Sequence, residues 1–323
     1  MPEFKTISVM IPSYNRTNLL LRCLELYKRQ TLPTEQFEVI VVDDGSSDPV
    51  ERDVKPEKYP FKLTIVRQEH SGPGIARNAA MDRAGNEILL FTGDDIMPSV
   101  DLLERHLCAH SRYANDNMAI LGYIGWPPGI EVNSIMHYVT EVSGQQFAFF
   151  KLKDGQAVNH SLFYTSNISL KRSYLLKTGE RFSEKFIKAC FDDTELGYRL
   201  EKKHGLKIVF DKSINAFHEH AVDLESYYKR EFNVGQMAMV FNALHPEFYA
   251  KQSDEARNKS FPLYENAPEE FKEYYANLRK IQDSTSTKEE AVKAVFRKME
   301  HTFFSDMSAF AFKSGAAYFS KKQ

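Results

Sequence analysis

The sequence predicts an α/β fold: an α/β/α sandwich around a mixed, mostly parallel sheet, followed by a helical C-terminal extension. Three observations carry this. Short apolar runs alternate with helical periodicity through about residue 110. The runs are continuously apolar, as strands covered on both faces of a parallel sheet are. From Leu224 onward the pattern becomes helical, aromatic-rich and charged.

The elements follow in order. Ile7 to Ile11 is an apolar run ended by Pro12, read as a buried strand. Arg16 to Gln30 has Leu20, Leu24 and Tyr27 at helical spacing. Phe37 to Val42 is the second strand, stopping at Asp43-Asp44-Gly45-Ser46, and Lys62 to Val66 is the third. Gly72 to Arg83 reads as a helix with Gly85 as its stop signal. Glu87 to Phe91 is the fourth strand, ending at Thr92-Gly93-Asp94-Asp95, with Pro98 closing the loop. Residues 115 to 165 carry weaker signals, among them Trp126 in a Pro-Gly turn. A strand-like segment spans Phe163 to Leu170, and a helix opens at Asp192-Asp193 and closes at Gly205. Leu206 to Phe210 is a further strand, followed by Phe217-His218-Glu219-His220. Ser284 to Thr287 breaks the C-terminal helical pattern.

A length of 323 residues allows two domains, or one core with an appendage, at about 150 residues per domain. The division expected is 1–220 for the α/β domain, with halves at 1–112 and 113–220, and 221–323 for the helical region. A formal net charge of −2, with no basic stripe, gives no global pull toward nucleic acid. Cys23, Cys108 and Cys190 are dispersed and odd in number, which argues against a disulfide framework or structural zinc and for a reducing, cytoplasmic setting. No signal-peptide pattern opens the chain, and no run reaches the roughly 18 apolar residues of a membrane span. The aromatic and lysine-rich stretch Ala294 to Phe319 reads as core packing or as a docking face for another subunit or, peripherally, an inner membrane surface.

Ligands of such sheets bind at the carboxyl ends of strands. Here those ends carry Tyr14-Asn15-Arg16, Asp43-Asp44 and Asp94-Asp95. A diphosphate cannot sit beside bare aspartates. A hard cation such as Mn2+ or Mg2+ at Asp94 and Asp95 would resolve the conflict. Asp43-Asp44 suits a nucleobase imide or a ribose hydroxyl, and equally a capped turn. Gly72-Pro73-Gly74 opens a helix whose amides can face a phosphate, but the dinucleotide fingerprint and the P-loop are both missing.

In this order, Ser8 to Arg16, Val41 to Asp48, Ala76-Arg77-Asn78, Gly93-Asp94-Asp95, Asn167 to Arg172 and Asp192 to Leu200 resemble the inverting family 2 glycosyltransferases with a GT-A, Rossmann-like fold. The resemblance covers roughly residues 5 to 220 and implies a nucleoside-diphosphate sugar donor, usually UDP-linked, a divalent metal and a glycan acceptor. It implies that Pro12, Tyr14 and Arg16 line the base pocket, that Asp43 or Asp44 contacts the uridine, and that Arg77 lies near the donor. Asp94 matches the second aspartate of the DxD metal motif, whose first position is Thr92 here; threonine supplies no carboxylate, so Asp95 is the expected support. Asp193 matches the catalytic base. Asp192, spaced from Glu195 as in a capping box, is expected at the helix N-cap on the acceptor side. His218 best matches the family's remaining metal ligand, and His220 shares its side if the segment is extended. Asn167 falls among the acceptor-side motifs, and Trp126 is either a stacking wall for an acceptor sugar or a core aromatic.

The rival readings are a nucleotidyltransferase and a catalytically silent sugar-nucleotide or partner-binding protein. The first usually needs a glycine-rich basic loop where Pro12-Ser13-Tyr14-Asn15 stands.

Overall fold

Strands β1 (Ile7–Ser13), β2 (Phe37–Asp43), β3 (Lys62–Arg67), β4 (Ile88–Phe91), β5 (Ile96–Pro98), β6 (Met118–Gly125), β7 (Ala157–Val158), β8 (Ile168–Lys171) and β9 (Lys207–His218) form one sheet in the computed structural model. Residues 4–113, 115–249 and 290–322 are described, with Glu273, Ala276, Asn277 and Lys280 between them. The helices are α1 (Thr17–Tyr27), α2 (Pro73–Arg83), α3 (Leu102–Arg112), α4 (Ser134–His137), α5 (Arg172–Thr178), α6 (Asp192–His204), α7 (Leu224–Leu244), α8 (Pro246–Tyr249) and α9 (Glu290–Lys322).

The chain forms two compact units. One comprises residues 1–130 and 151–220, the other 131–150 and 221–323. The segment 131–150, read from sequence with the first domain, thus belongs with the C-terminal helices.

In the first unit the strand order is β3-β2-β1-β4-β8-β6-β9-β5, with β7 on β9. β1 pairs in parallel with β2 and β4, and β2 with β3. β8 runs antiparallel to both β4 and β6, and β6 runs parallel to β9. Six strands, β1 to β4, β6 and β9, therefore end on the same edge, where β8 begins. Val9 to Ile11, Val39 to Val42 and Leu90 to Phe91 are fully buried, as double-sided coverage requires. α1 lays Leu20, Cys23, Leu24 and Tyr27 into the core, each aliphatic side chain contributing about 1.5–3 kcal/mol.

Two local departures shape the site. β5 is a strand where the sequence suggested only a closing loop; Ile96 pairs with His218 and Pro98 with Ala216. β9 is also longer than Leu206 to Phe210. Its pairing with β6 jumps from Gly122↔Asp211 to Tyr123↔Asn215, leaving Lys212, Ser213 and Ile214 between. The polar run Asp211-Lys212-Ser213 is what makes the sequence look like a strand end.

At the opposite edge, buried Glu38 acts as a latch. Its carboxylate accepts from Ser8 Oγ (2.7 Å), Gly85 N (2.7 Å) and Lys62 Nζ (2.7 Å), tying β1, β2, β3 and the turn after α2.

In the second unit α7 is opened by a capping box, Asp223 Oδ1 accepting from Ser226 N (2.7 Å) and Ser226 Oγ from Asp223 N (3.0 Å). α7 and α9 cross at two glycines. A Cβ on Gly235 would lie 1.9 Å from the Phe312 carbonyl oxygen, and one on Gly315 1.9 Å from that of Phe232. Beside the crossing, Ser308 Oγ donates to Glu231 (2.8 Å), Gln145 Nε2 to Ser308 Oγ (2.6 Å) and Tyr227 Oη to Gln145 (2.6 Å). The break at Ser284 to Thr287 lies outside the described residues. Among the described residues no helix is long and apolar enough to cross a membrane.

Candidate active site

The common carboxyl edge gathers the turns after β1, β2, β3, β4, β6 and β9. After β2, Asp43 is fully buried and committed to its own loop. It accepts from Ser46 N (2.9 Å) and Val50 N (3.1 Å) and pairs with Arg67 (2.6 Å). Burial opposes ionisation, but these donors outweigh it and hold the carboxyl below its usual range. Asp43 takes the capped-turn form that the sequence allowed. Asp44 binds the loop after β3, accepting from Gln68 Nε2 (2.7 Å), Ser71 N (3.0 Å) and Gly72 N (2.9 Å). Gly45, at φ +81°, makes this fit; a Cβ there would meet His70 N at 2.7 Å.

His70, absent from the sequence reading, stacks on Tyr14 with centroids 4.0 Å apart and planes at 19°. Both rings are largely exposed, forming an aromatic wall beside the β2 turn. The only sequence signal was position: Glu69-His70-Ser71-Gly72 joins a strand to a glycine-opened helix. Pro12 sits within β1, opposite Val42. Asn15 takes a left-handed φ of 55° and is bound by Ser46 Oγ (2.9 Å) and Ser47 N (2.9 Å). Arg16, expected against the base, instead reaches the acid pair after β4.

There Arg16 Nη1 lies 2.6 Å from Asp95 Oδ2 and 3.4 Å from Asp94 Oδ1. Ser13 Oγ donates to Asp94 Oδ2 (2.8 Å), and Glu219 N donates to the Asp95 main-chain oxygen (2.8 Å). His218 Nε2 stands 3.4 Å from Asp95 Oδ2. Burial first, then the neighbouring Asp95 charge, push Asp94 up to about 7 against the pull of Arg16. Burial also opposes ionisation of Asp95, but His218 and Arg16 hold it well below the usual carboxylate range. Thr92 is buried, its hydroxyl donating to Ser166 O (3.2 Å), so the DxD departure is structural as well as chemical.

His218 stacks with Trp126, 5.8 Å away at 26°, and with His220, 5.5 Å away at 25°. Trp126 is thus partly buried against the end of β9. Carboxylate oxygen and imidazole nitrogen suit a hard or borderline cation. Among the described residues, however, no three or more such donors stand assembled for a metal. Arg16 Nη1 bridges the two carboxylates.

The second acidic group opens α6. Phe191, left-handed at φ 64°, is the N-cap and makes no side-chain cap bond, so Asp192 is the first helical residue instead of the cap. The capping-box expectation fails because each carboxylate has another partner. Asp192 Oδ2 pairs with Arg77 Nη1 (3.0 Å), and Glu195 with Arg199 (2.7 Å). Asp193, partly open, accepts from Thr194 N (2.7 Å) and, at longer range, Thr165 N (3.4 Å). Burial pushes Asp192 up to about 7 despite Arg77, aided by the Asp193 charge; Asp193 is also raised, burial again leading. Thr165 and Ser166 are adjacent, so one turn touches both Asp193 and the end of β4.

Asn167, expected on the acceptor side, faces the interior instead. Its Nδ2 donates to Tyr123 O (3.1 Å) and Ile214 O (3.2 Å) across the β6–β9 register break. Its Oδ1 takes His106 Nε2 at 2.9 Å. Ser169 Oγ lies 2.8 Å from His106 Nδ1 and 2.9 Å from His110 Nε2. Burial pushes His106 down to about 4 and His110 to about 3, so both rings are neutral at pH 7. With Asn167 Oδ1 an acceptor, His106 carries its proton on Nε2 and Nδ1 accepts from Ser169.

A mixed sheet of this strand order, with its acidic turns along one carboxyl edge, is of the GT-A type. Residues 8–177 match the family model for glycosyl transferase family 2, and the chain belongs to that family. It is 30% identical over 237 residues to validoxylamine A glucosyltransferase of Streptomyces hygroscopicus subsp. jinggangensis, covering 66% of this chain and 56% of the relative. It is 25% identical over 280 residues to the uncharacterized glycosyltransferase YfnE of Bacillus subtilis, covering 73% and 70%. The chain spans about half the length of the validoxylamine relatives it matches. Among solved structures, mannosyltransferase PcManGT from Pyrobaculum calidifontis, in complex with GDP-Man and Mn2+, superposes with TM-score 0.61 at 18% identity, covering 100% of this chain and 90% of that one. S. aureus TarS 1-349 in complex with UDP gives 0.54 at 18% identity, covering 98% and 92%. These likenesses concern the fold.

Proposed function

We propose that the chain is an inverting enzyme that moves a sugar from a nucleoside diphosphate, UDP in the first instance, to a hydroxyl of a glycan acceptor. The observation that carries this reading is the shared turn. Thr165 contacts Asp193 while Ser166 receives Thr92, so one turn links a partly open carboxylate to the segment that leads into Asp94 and Asp95. Asp193 takes the acceptor hydroxyl proton as that oxygen bonds to the anomeric carbon, and the bond to the diphosphate breaks with its electron pair. Arg77 and Asp192 hold each other and set the face that Asp193 presents. Asp44 organises the loop carrying His70, and Tyr14 with His70 offers a surface for a base. Asp94, Asp95 and His218 would hold a divalent cation, which would supply Lewis-acid stabilisation to the leaving group. His220 and Trp126 buttress His218.

The three free cysteines support a reducing, cytoplasmic setting. A docking role for α9, toward a second subunit or the inner membrane face, rests on its sequence pattern alone.

Asp193→Asn should lower transfer by at least about a thousandfold, the upper part of the range for general-base loss, while UDP affinity stays near wild type. Transfer by Asp193→Asn within tenfold of wild type would remove the residue from this role. A silent binding protein would instead bind UDP with no turnover of any UDP- or GDP-sugar.

A further inference from the structure

The geometry points to Arg16 as a resident, exchangeable counter-ion. It holds Asp94 and Asp95 together, yields to a divalent cation that arrives with the nucleotide, and then turns to the diphosphate. This inference rests on the sugar-nucleotide reading and adds an order of binding to it.

Two buried carboxylates in adjacent positions repel each other unless a cation lies between them. Arg16 Nη1 takes that position, 2.6 Å from one and 3.4 Å from the other. The acids are the fixed partners. Their side chains are 6% and 14% exposed, with Ser13 on Asp94, Glu219 N on the Asp95 main chain and His218 beside its carboxylate. The guanidinium is the movable partner, its side chain 42% exposed. Its backbone is anchored by the Asn15 turn, so only the side chain need swing.

Charge decides the exchange. One guanidinium offsets one of two carboxylates, whereas a divalent cation offsets both and prefers their oxygens. A bare cation must expel Arg16 with nowhere better for it to go. A cation arriving with a diphosphate brings the expelled guanidinium a new anionic partner. Arg16 follows Tyr14 and Asn15 in the turn that carries the Tyr14–His70 wall, so a released side chain stays beside a nucleotide seated there.

The test is Mn2+ titration of the full chain by calorimetry or Mn2+ resonance, with and without saturating UDP. It compares wild type, Arg16→Gln and Arg16→Lys, each checked for a cooperative melt. Wild type should bind Mn2+ at least about tenfold more tightly with UDP than without, since the exchange then has a second partner. Arg16→Gln should bind Mn2+ without UDP about tenfold more tightly than wild type and gain less from UDP. Arg16→Lys, which keeps the charge, should fall between them. Equal or weaker Mn2+ binding by Arg16→Gln without UDP overturns the inference; if wild type still binds Mn2+ with UDP, the sugar-nucleotide reading survives. If neither protein binds Mn2+ under either condition, the inference falls together with the metal assignment, and UDP binding alone then tests the donor.

Discussion

Asp192 and Asp193 are adjacent carboxylates at the start of a helix, and Arg77 pairs with the first of them. Their protons come off as a coupled pair, and burial raises both, Asp192 to about 7. A base works only when ionised, so kcat/KM should fall on the acid side at a pH above the ordinary carboxylate range, the direction in which burial shifts Asp193. Asp192→Asn removes the like charge and leaves Arg77 to Asp193. In that variant the acid limb should move to lower pH, whatever the change in maximum rate. An acid limb that lies at or below the ordinary carboxylate range in wild type would sink this account. The sequence exposed these residues because acidic pairs at strand and helix ends are conspicuous. It did not expose His70 or the true partner of Arg16. Both depend on which turns meet across the sheet edge, and neither has a local pattern.

Among elements, the junction of β6 and β9 is packed too closely to admit a side chain at Gly122. A Cβ on Gly122 would stand 2.2 Å from Asn167 Nδ2 and 2.7 Å from Ile214 O. Gly122→Ala should therefore cost about 1–3 kcal/mol or more, read as a lowered melting temperature. Because β9 beyond the break carries His218, the variant should also weaken Mn2+ binding in the presence of UDP. A melt matching wild type would refute the role given to Asn167. In the second unit, Gly235→Ala drives a methyl group into the Phe312 carbonyl and should likewise destabilise the α7–α9 pair by about 1–3 kcal/mol. Adding Gly315→Ala should cost less than a second full penalty, since both relieve at one crossing; limited proteolysis with a melt would measure it. β1 to β4 were legible because parallel strands read as unbroken apolar runs. β5 and the far half of β9 were not. A three-residue strand ending in proline, and a strand interrupted by Asp211-Lys212-Ser213, owe their pairing to distant partners.

Across the molecule, the α/β class and the succession of the first four strands along the chain were legible in the sequence. The assignment of 131–150 was not, because what decides it is a set of side-chain contacts, such as Gln145 with Tyr227 and Ser308, made far along the chain. The two edges of the sheet also differ in what they ask of the sequence. Glu38→Ala would strip an acceptor from Ser8, Gly85 and Lys62 and should cost about 1–3 kcal/mol in urea unfolding, with UDP affinity within about twofold of wild type. A large loss of UDP binding without loss of stability would contradict that separation.

The Glu38 latch thus gives the architecture a hinge for diversification. Stability is secured at one rim by a carboxylate that lies away from the carboxyl-end turns. The loops of the other rim are left to lengthen, exchange residues and acquire new donors or acceptors, while the unfolding free energy contributed at the latched rim stays the same.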